Sequence, residues 1–319
     1  NLYAFSDVFG FAANDVWAVA SSGHVVHWNG NFWADVANHT CTSVWGSSST
    51  DMWFQCGAQF KHYDGVAWTN VSSISGTAGG APRRIVGGDG SGALVAATNG
   101  SLIERHVSGE WVTIAPTTDL TSQTVDSIQI FAGGAAIAHL GNSKASLVRI
   151  GAWALVTDSV EYNKCLWGAS ASDYWIGSED SDVHVRPFAY HKVGSTVTET
   201  NLSDYTNLRY PELFSIWGSG PNDLHGVGRT NYYSSLYYNH GFFHFDGTSW
   251  RPVLSNASTD TGTGSVVSFV DGASSGFVWA IDTGRTIWRL VAGNWVRSTS
   301  GSPLTASDTL AGLWVESAS

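Results

Sequence analysis

Residues 43–71, SVWGSSSTDMWFQCGAQFKHYDGVAWTNV, constrain the fold more than any other stretch, because looser copies of them fill most of the chain. The stretch reads as four short strands. Residues 43–45 meet a polar turn ending at Asp51 and are answered by residues 52–54. After Gly57 come residues 60–63, then Asp64-Gly65 as a favoured two-residue hairpin turn, then a run through Trp68 to Val71. Four antiparallel strands of this length leave both faces of a small sheet uncovered. Such a sheet is stable only when copies pack against it.

The copies span about residues 7–36, 43–71, 83–114, 127–156, 165–200, 215–254 and 266–298, and a lone first-strand copy follows at about 310–315. Their spacing falls in the range of four-stranded propeller blades. The expectation is an all-β chain, a seven-bladed β-propeller of four-stranded antiparallel blades, forming a single domain over residues 1–319. The surplus strand at 310–315 would close the ring by joining the opposite chain end in one blade, which removes an open edge. The third copy, IVGGDGSGALVAATNGSLIERHVSGEWVTI, is similar to the tectonin-type propeller repeat. That resemblance implies a lectin-like, glycan-binding role. The other copies more often carry VWG, a Ser-rich turn and D-x-W; the Gly-Gly signature of kelch blades is not repeated.

Composition fits this reading. The chain is 43% apolar with 16 Trp and 36 Gly, too apolar for disorder and rich in turn formers. No uninterrupted apolar run approaches the roughly 18 residues of a spanning helix, so no membrane span is expected. A net charge of −11 argues against nucleic acid as a partner, since its binding needs a basic track. The only methionine is Met52 and the sequence begins at Asn1, which suggests a removed leader or a trimmed start; abundant Ser, Thr, Gly and Asn fit a secreted or cell-surface protein. Pairing Val44 with Trp53 would set Cys41 opposite Cys56, where a disulfide can form, whereas a one-residue slip would leave two buried thiols. Cys165 is expected as a small buried residue.

Loop lengths sort the two ends of the strands. The one-to-two and three-to-four turns hardly vary, whereas every long insertion belongs to a link between copies or to a two-to-three loop. Variable loops on a constant scaffold are where binding resides. The two-to-three loop of the sixth copy, RTNYYSSLYYNHG, holds Arg229, Asn231, Tyr232, Tyr233, Tyr237, Tyr238, Asn239 and His240. Aromatic planes beside amide and guanidinium groups match the apolar face and polar rim of a sugar, so a glycan or polysaccharide is the expected partner. In the fifth copy, Asp180, Asp182 and His184 would project to one side if extended, a donor set for Ca²⁺ or another divalent ion; a solvated acidic edge is the alternative.

Two recurring features read as structural. Basic residues His27, His62, His106, Arg149, His191, His244 and Arg289 precede or flank the last turn, on third strands that diverge from any common axis, so each should pack or cap locally. The aspartates of the D-x-W turns, Asp15, Asp51 and Asp173, with Asp223, should bond turn amides. The recurring Trp residues mark packing between copies. No motif of a common catalytic class is present. A polysaccharide lyase using Tyr238, His240 and Arg229 is the enzymatic alternative, and a protein-docking propeller a third reading.

Overall fold

Each repeat folds as an antiparallel meander in the computed structural model, which describes residues 5–20, 22–57, 59–71, 84–88, 94–98, 101–105, 111–114, 124–131, 135–141, 145–150, 152–157, 163–178, 188–200, 202, 208–232, 238–253, 266–274, 276–284 and 286–298. Residues 1–157 and 158–319 form two units. In the first unit, β1 (Phe5–Ala12), β2 (Asp15–Ala20), β3 (His24–Trp28) and β4 (Trp33–Ala37) make one sheet, and β5 (Ser43–Ser48), β6 (Asp51–Cys56), β7 (Gln59–Tyr63) and β8 (Trp68–Val71) make the next. Strands β9 (Arg84–Gly88), β10 (Leu94–Thr98), β11 (Ser101–Arg105) and β12 (Trp111–Ile114) form a third sheet. A fourth consists of β13 (Thr124–Ile130), β14 (Ala136–Gly141), β15 (Ala145–Ile150) and β16 (Ala152–Thr157).

The second unit has three such sheets. They are β17 (Asn163–Ser170), β18 (Asp173–Ser178), β19 (Ala189–Val193) and β20 (Thr196–Thr200); β21 (Leu208–Gly220), β22 (Asp223–Tyr232), β23 (Tyr238–Phe245) and β24 (Trp250–Pro252); and β25 (Val267–Ser274), β26 (Phe277–Asp282), β27 (Ile287–Val291) and β28 (Asn294–Arg297). Among the described residues there is no helix, hence none long and apolar enough to cross a membrane. The strand expected at 310–315 lies outside the described residues.

Burial explains the order within each sheet. First strands lie side by side, β1 by β5, β5 by β9 and β9 by β13 in one unit, and β17 by β21 and β21 by β25 in the other. Second strands are covered on both faces: Met52, Trp53, Phe54 and Gln55 of β6 are all buried. Strands covered this way read as apolar runs without alternation. Fourth strands form the exposed edge, as in β20, where every residue but Thr200 is exposed. Cores form between successive sheets. Trp17, Val19 and Val25 pack on Val44, Met52 and Phe54; Trp175 and Phe188 on Leu213, Phe243 and Trp250; and Val227 and Phe242 on Val270, Trp288 and Trp295. Burying each such side chain contributes about 1.5–3 kcal/mol.

The D-x-W turns and the third-strand histidines turn out to be one device. Asp51 accepts a hydrogen bond from Trp53 Nε1 at 2.9 Å and pairs with His62 Nε2 at 2.7 Å, while the Trp53 and His62 rings stack at 4.3 Å. The first sheet repeats this: Trp17 Nε1 donates to Asp15 at 3.2 Å, His27 Nε2 lies 2.8 Å from the same carboxylate, and the rings stack at 4.3 Å. His191 lies 2.8 Å from Asp173 and stacks on Trp175 at 4.1 Å. Arg289 takes the basic position in the last sheet, 5.7 Å from the Trp279 ring. These residues act locally, as expected; His106 and the side chain of Arg149 lie outside the described residues. The far side of Trp17 meets Phe54 and Tyr63 of the next sheet at 5.9 and 5.5 Å, so the triad also sets the packing between sheets.

Two local expectations are corrected. Asp64-Gly65 is not the central pair of its turn: Asp64 N donates to Ala67 O, and the Asp64 carboxylate accepts from Val66 N and Ala67 N at 2.9 and 2.7 Å. Gly65 and Val66 are central, with φ +91° at Gly65, a conformation that excludes a side chain at little cost only for glycine. The carboxylate supplies the acceptor that a regular turn would take from backbone. The second correction is the register of β5 on β6, where Val44 faces Phe54 and Trp45 faces Trp53.

That one-residue slip does not separate the cysteines. Cys41 and Cys56 are joined by a disulfide, and Thr42 N donates to Gln55 O at 2.8 Å just before β5 begins. The neighbouring sheets show why. Pairing jumps by one residue between Asp7↔Val19 and Phe5↔Ala20, between Cys165↔Gly177 and Asn163↔Ser178, and between Phe269↔Ile281 and Val267↔Asp282. A β-bulge at the start of the first strand recurs, and it returns Cys41 to a position opposite Cys56. Cys165 is buried with its thiol donating to Leu213 O at 3.4 Å, and burial pushes its pKa well up.

Candidate functional site

The sheet β21–β24 departs most from the others. Strand β21 has 13 residues against eight in each of β17 and β25, and β22 has 10 against six in each of β18 and β26. The stretch expected as a loop from Arg229 to His240 is therefore strand for most of its length. Its register sets Arg229 opposite His240, Thr230 opposite Asn239 and Asn231 opposite Tyr238, and on the other side Glu212 opposite Arg229 and Leu208 opposite Tyr232. Pro211 lacks an N–H and sits where pairing is irregular, between Arg209 and Glu212.

A row of charge runs across the base of this extension. Arg229 grips the carboxylate of Glu212 with Nε and Nη2 at 2.5 and 2.7 Å, and Glu212 is only 1% exposed. The Arg229 guanidinium also lies 5.7 Å from the Phe214 ring. A bidentate pair of this kind repays desolvation through two charge-assisted bonds. Next across the sheet, His240 Nε2 reaches Asp282 Oδ2 of β26 at 3.0 Å, with both side chains buried. Asp282 also accepts from Trp288 Nε1 at 3.0 Å and Thr286 N at 2.8 Å. Burial alone would raise the Asp282 pKa, but the bonds from His240, Thr286 and Trp288 outweigh it and hold the carboxyl below its ordinary value. Close backbone approach needs Gly228, where a Cβ would stand 2.0 Å from the Glu212 carbonyl oxygen.

Of the residues expected to bind ligand, Arg229, Asn231, Tyr232, Tyr238, Asn239 and His240 are brought onto adjacent strands. Tyr233 and Tyr237, between β22 and β23 in sequence, and Asp180, Asp182 and His184, between β18 and β19, lie outside the described residues. One residue escaped notice in the sequence. His225 of β22 occupies the position that Trp17, Trp53 and Trp175 hold in their own sheets, facing Trp217 as they face Phe9, Trp45 and Trp167. The signal was the departure from D-x-W to Asp223-Leu224-His225. Asp223, His225 and His244 are the group of His and Asp side chains, among the described residues, whose donor atoms all lie within 4.8 Å of one another.

No protein-family model matches the chain. No curated protein sequence matches it. Solved structures do resemble it. A structure of YCF48 bound to a D1 peptide has 13% identity and a TM-score of 0.60, over 91% of this chain and 94% of that one. The computationally designed protein Ika8 aligns at 11% identity with a TM-score of 0.64, covering 92% of this chain and 85% of its own. The extracellular domain of the two-component system protein BT4673 from B. thetaiotaomicron aligns at 13% identity with a TM-score of 0.54, over 95% of this chain and 39% of that one. With the four-stranded antiparallel sheets, these likenesses identify the fold as that of a β-propeller repeat protein.

Proposed function

We propose that the four sheets of the first unit and the three of the second are the blades of one seven-bladed β-propeller, closed by residues 310–315, and that the protein is an exported glycan-binding module. The observation that carries the reading is the extension of β21–β23, whose base is held by Arg229–Glu212 and His240–Asp282 and whose strands β22 and β23 are joined by a Tyr-rich sequence. A braced base lowers the ordering cost of binding, and tyrosines supply flat amphipathic area. The tectonin-like third repeat supports the same role. The Cys41–Cys56 disulfide suits an oxidising compartment. Asp180, Asp182 and His184 lie in the corresponding connection of the preceding sheet and would add a Ca²⁺ site to the same face.

The lyase reading is weaker on a specific point. Neutralising a uronic carboxylate needs an available guanidinium, and Arg229 is already paired with Glu212. The test is binding to a glycan array by the native chain and by a variant with Tyr232, Tyr233, Tyr237 and Tyr238 all replaced by Ala. Affinity should fall by about tenfold or more with circular dichroism unchanged. Unchanged binding would remove the Tyr-rich sequence as the site. Release of an ultraviolet-absorbing unsaturated uronide from polysaccharide would replace the lectin with the lyase, and a well-folded protein that binds no glycan would favour protein docking.

A further inference from the structure

Three sheets hold an Asp, a Trp and a His together, and the sheet β21–β24 keeps the Asp and the His but changes the Trp. His244 Nε2 lies 2.8 Å from Asp223 Oδ1, as in the other sheets. Where Trp53 or Trp17 would fill space and donate to the carboxylate, His225 stands instead, 4% exposed. Its Nε2 is 3.6 Å from Asp223 Oδ1, too far for a hydrogen bond, and neither ring nitrogen has a hydrogen-bond partner. Leaving a buried polar group unsatisfied is destabilising, a cost the ring nitrogens of Trp17 and Trp53 avoid by donating to their aspartates. Its ring stacks on His244 at 4.8 Å with an interplanar angle of 23°.

We infer that Asp223, His225 and His244 form a binding site for a divalent transition-metal ion of the zinc or copper class. Two imidazoles and one carboxylate are the donor set of borderline cations rather than of Ca²⁺ or Mg²⁺. The donor atoms already lie within 4.8 Å of one another, and a tetrahedral zinc with bonds of about 2.0–2.1 Å brings its ligands to roughly 3.3 Å, a closure that side-chain rotation supplies. The ion replaces the proton now shared by Asp223 and His244 and gives His225 the partner it lacks. Ser219 Oγ donates to the second oxygen of Asp223 at 2.5 Å, orienting the carboxylate from behind as the outer shell of a metal site does. Asp223 and His244 are 28% and 35% exposed, which leaves an entry path and positions for water. The site lies at the β21–β22 turn, at the other end of the strands from the Tyr-rich sequence, and is independent of the glycan reading.

The repeat supplies its own control. His225→Trp restores the residue found at this position in β2, β6 and β18, so it removes the proposed ligand without opening a cavity. Isothermal titration of ZnCl₂ into the metal-stripped native chain should show a site of micromolar affinity or better that falls by about a hundredfold or more in His225→Trp, at or beyond the roughly ten- to hundredfold cost of disturbing an outer-shell partner alone. Cu²⁺ bound to the native chain should give an electron paramagnetic resonance spectrum with two coordinating nitrogens, and CaCl₂ should not compete. His225→Gln serves as the second variant should the tryptophan fail to fold. Retention of stoichiometry and affinity in either folded variant overturns the proposal, as does native binding no tighter than millimolar or equal competition by Ca²⁺.

Discussion

Asp51 carries more than a turn. Its carboxylate meets Ser47, Trp53 and His62, and although burial alone would raise its pKa, the bonds from Ser47, His62 and Trp53 bring it below the ordinary value. A depressed folded pKa contributes stability that is complete above the unfolded value and is lost as pH falls through the folded one. Asp51→Asn keeps an acceptor for Trp53 but removes the charge. The stability gap between native chain and variant, measured by urea denaturation, should therefore be constant above about pH 5 and close progressively below about pH 4. A gap that persisted unchanged to pH 2 would mean that the carboxylate acts through shape alone. The same residue position shows how much was readable beforehand. Asp, Trp and His recur at fixed offsets, so their structural role followed from the period; that the three form one triad did not, because His62 meets Asp51 only once β7 is paired on β6 with His62 opposite Trp53.

At the scale of strands, β22 and β23 were misread for a physical reason. The run from Arg229 to His240 is rich in Asn, Ser and Tyr and is bounded by Gly228 and Gly241, the composition of a loop. What makes it strand is its partner: Glu212 and Arg229 face each other across β21 and β22, and a buried bidentate pair outweighs local propensity. Arg229→Ala would strip the buried Glu212 carboxylate of the guanidinium that grips it through two bonds, and unfolding by urea should show a loss of about 3–5 kcal/mol. Adding Glu212→Ala should return part of that loss, since the buried carboxylate goes with it. A double variant no better than the single would assign the loss to the packing of Arg229 on Phe214. The short turns, by contrast, were legible in length and only mistaken in which residues sit at their centre.

At the scale of the whole chain, the repeat period revealed all-β meanders stacked through apolar second strands, and the comparisons place that architecture among β-propellers. The proposed ring carries its own prediction. A propeller closed through 310–315 should unfold in one calorimetric transition whose van't Hoff and calorimetric enthalpies agree, whereas two resolved transitions would mean that residues 1–157 and 158–319 unfold as separate bodies. The recurring bulge at the start of the first strand bears on a different matter. Only one sheet uses it for a cross-link, yet Phe5 and Ala20 occupy the same paired position that Cys41 and Cys56 do. Covalent reinforcement of this scaffold is thus modular: the backbone repeats the same paired position from sheet to sheet, and Phe5→Cys with Ala20→Cys should install a second staple, read as the loss of two free thiols on oxidation.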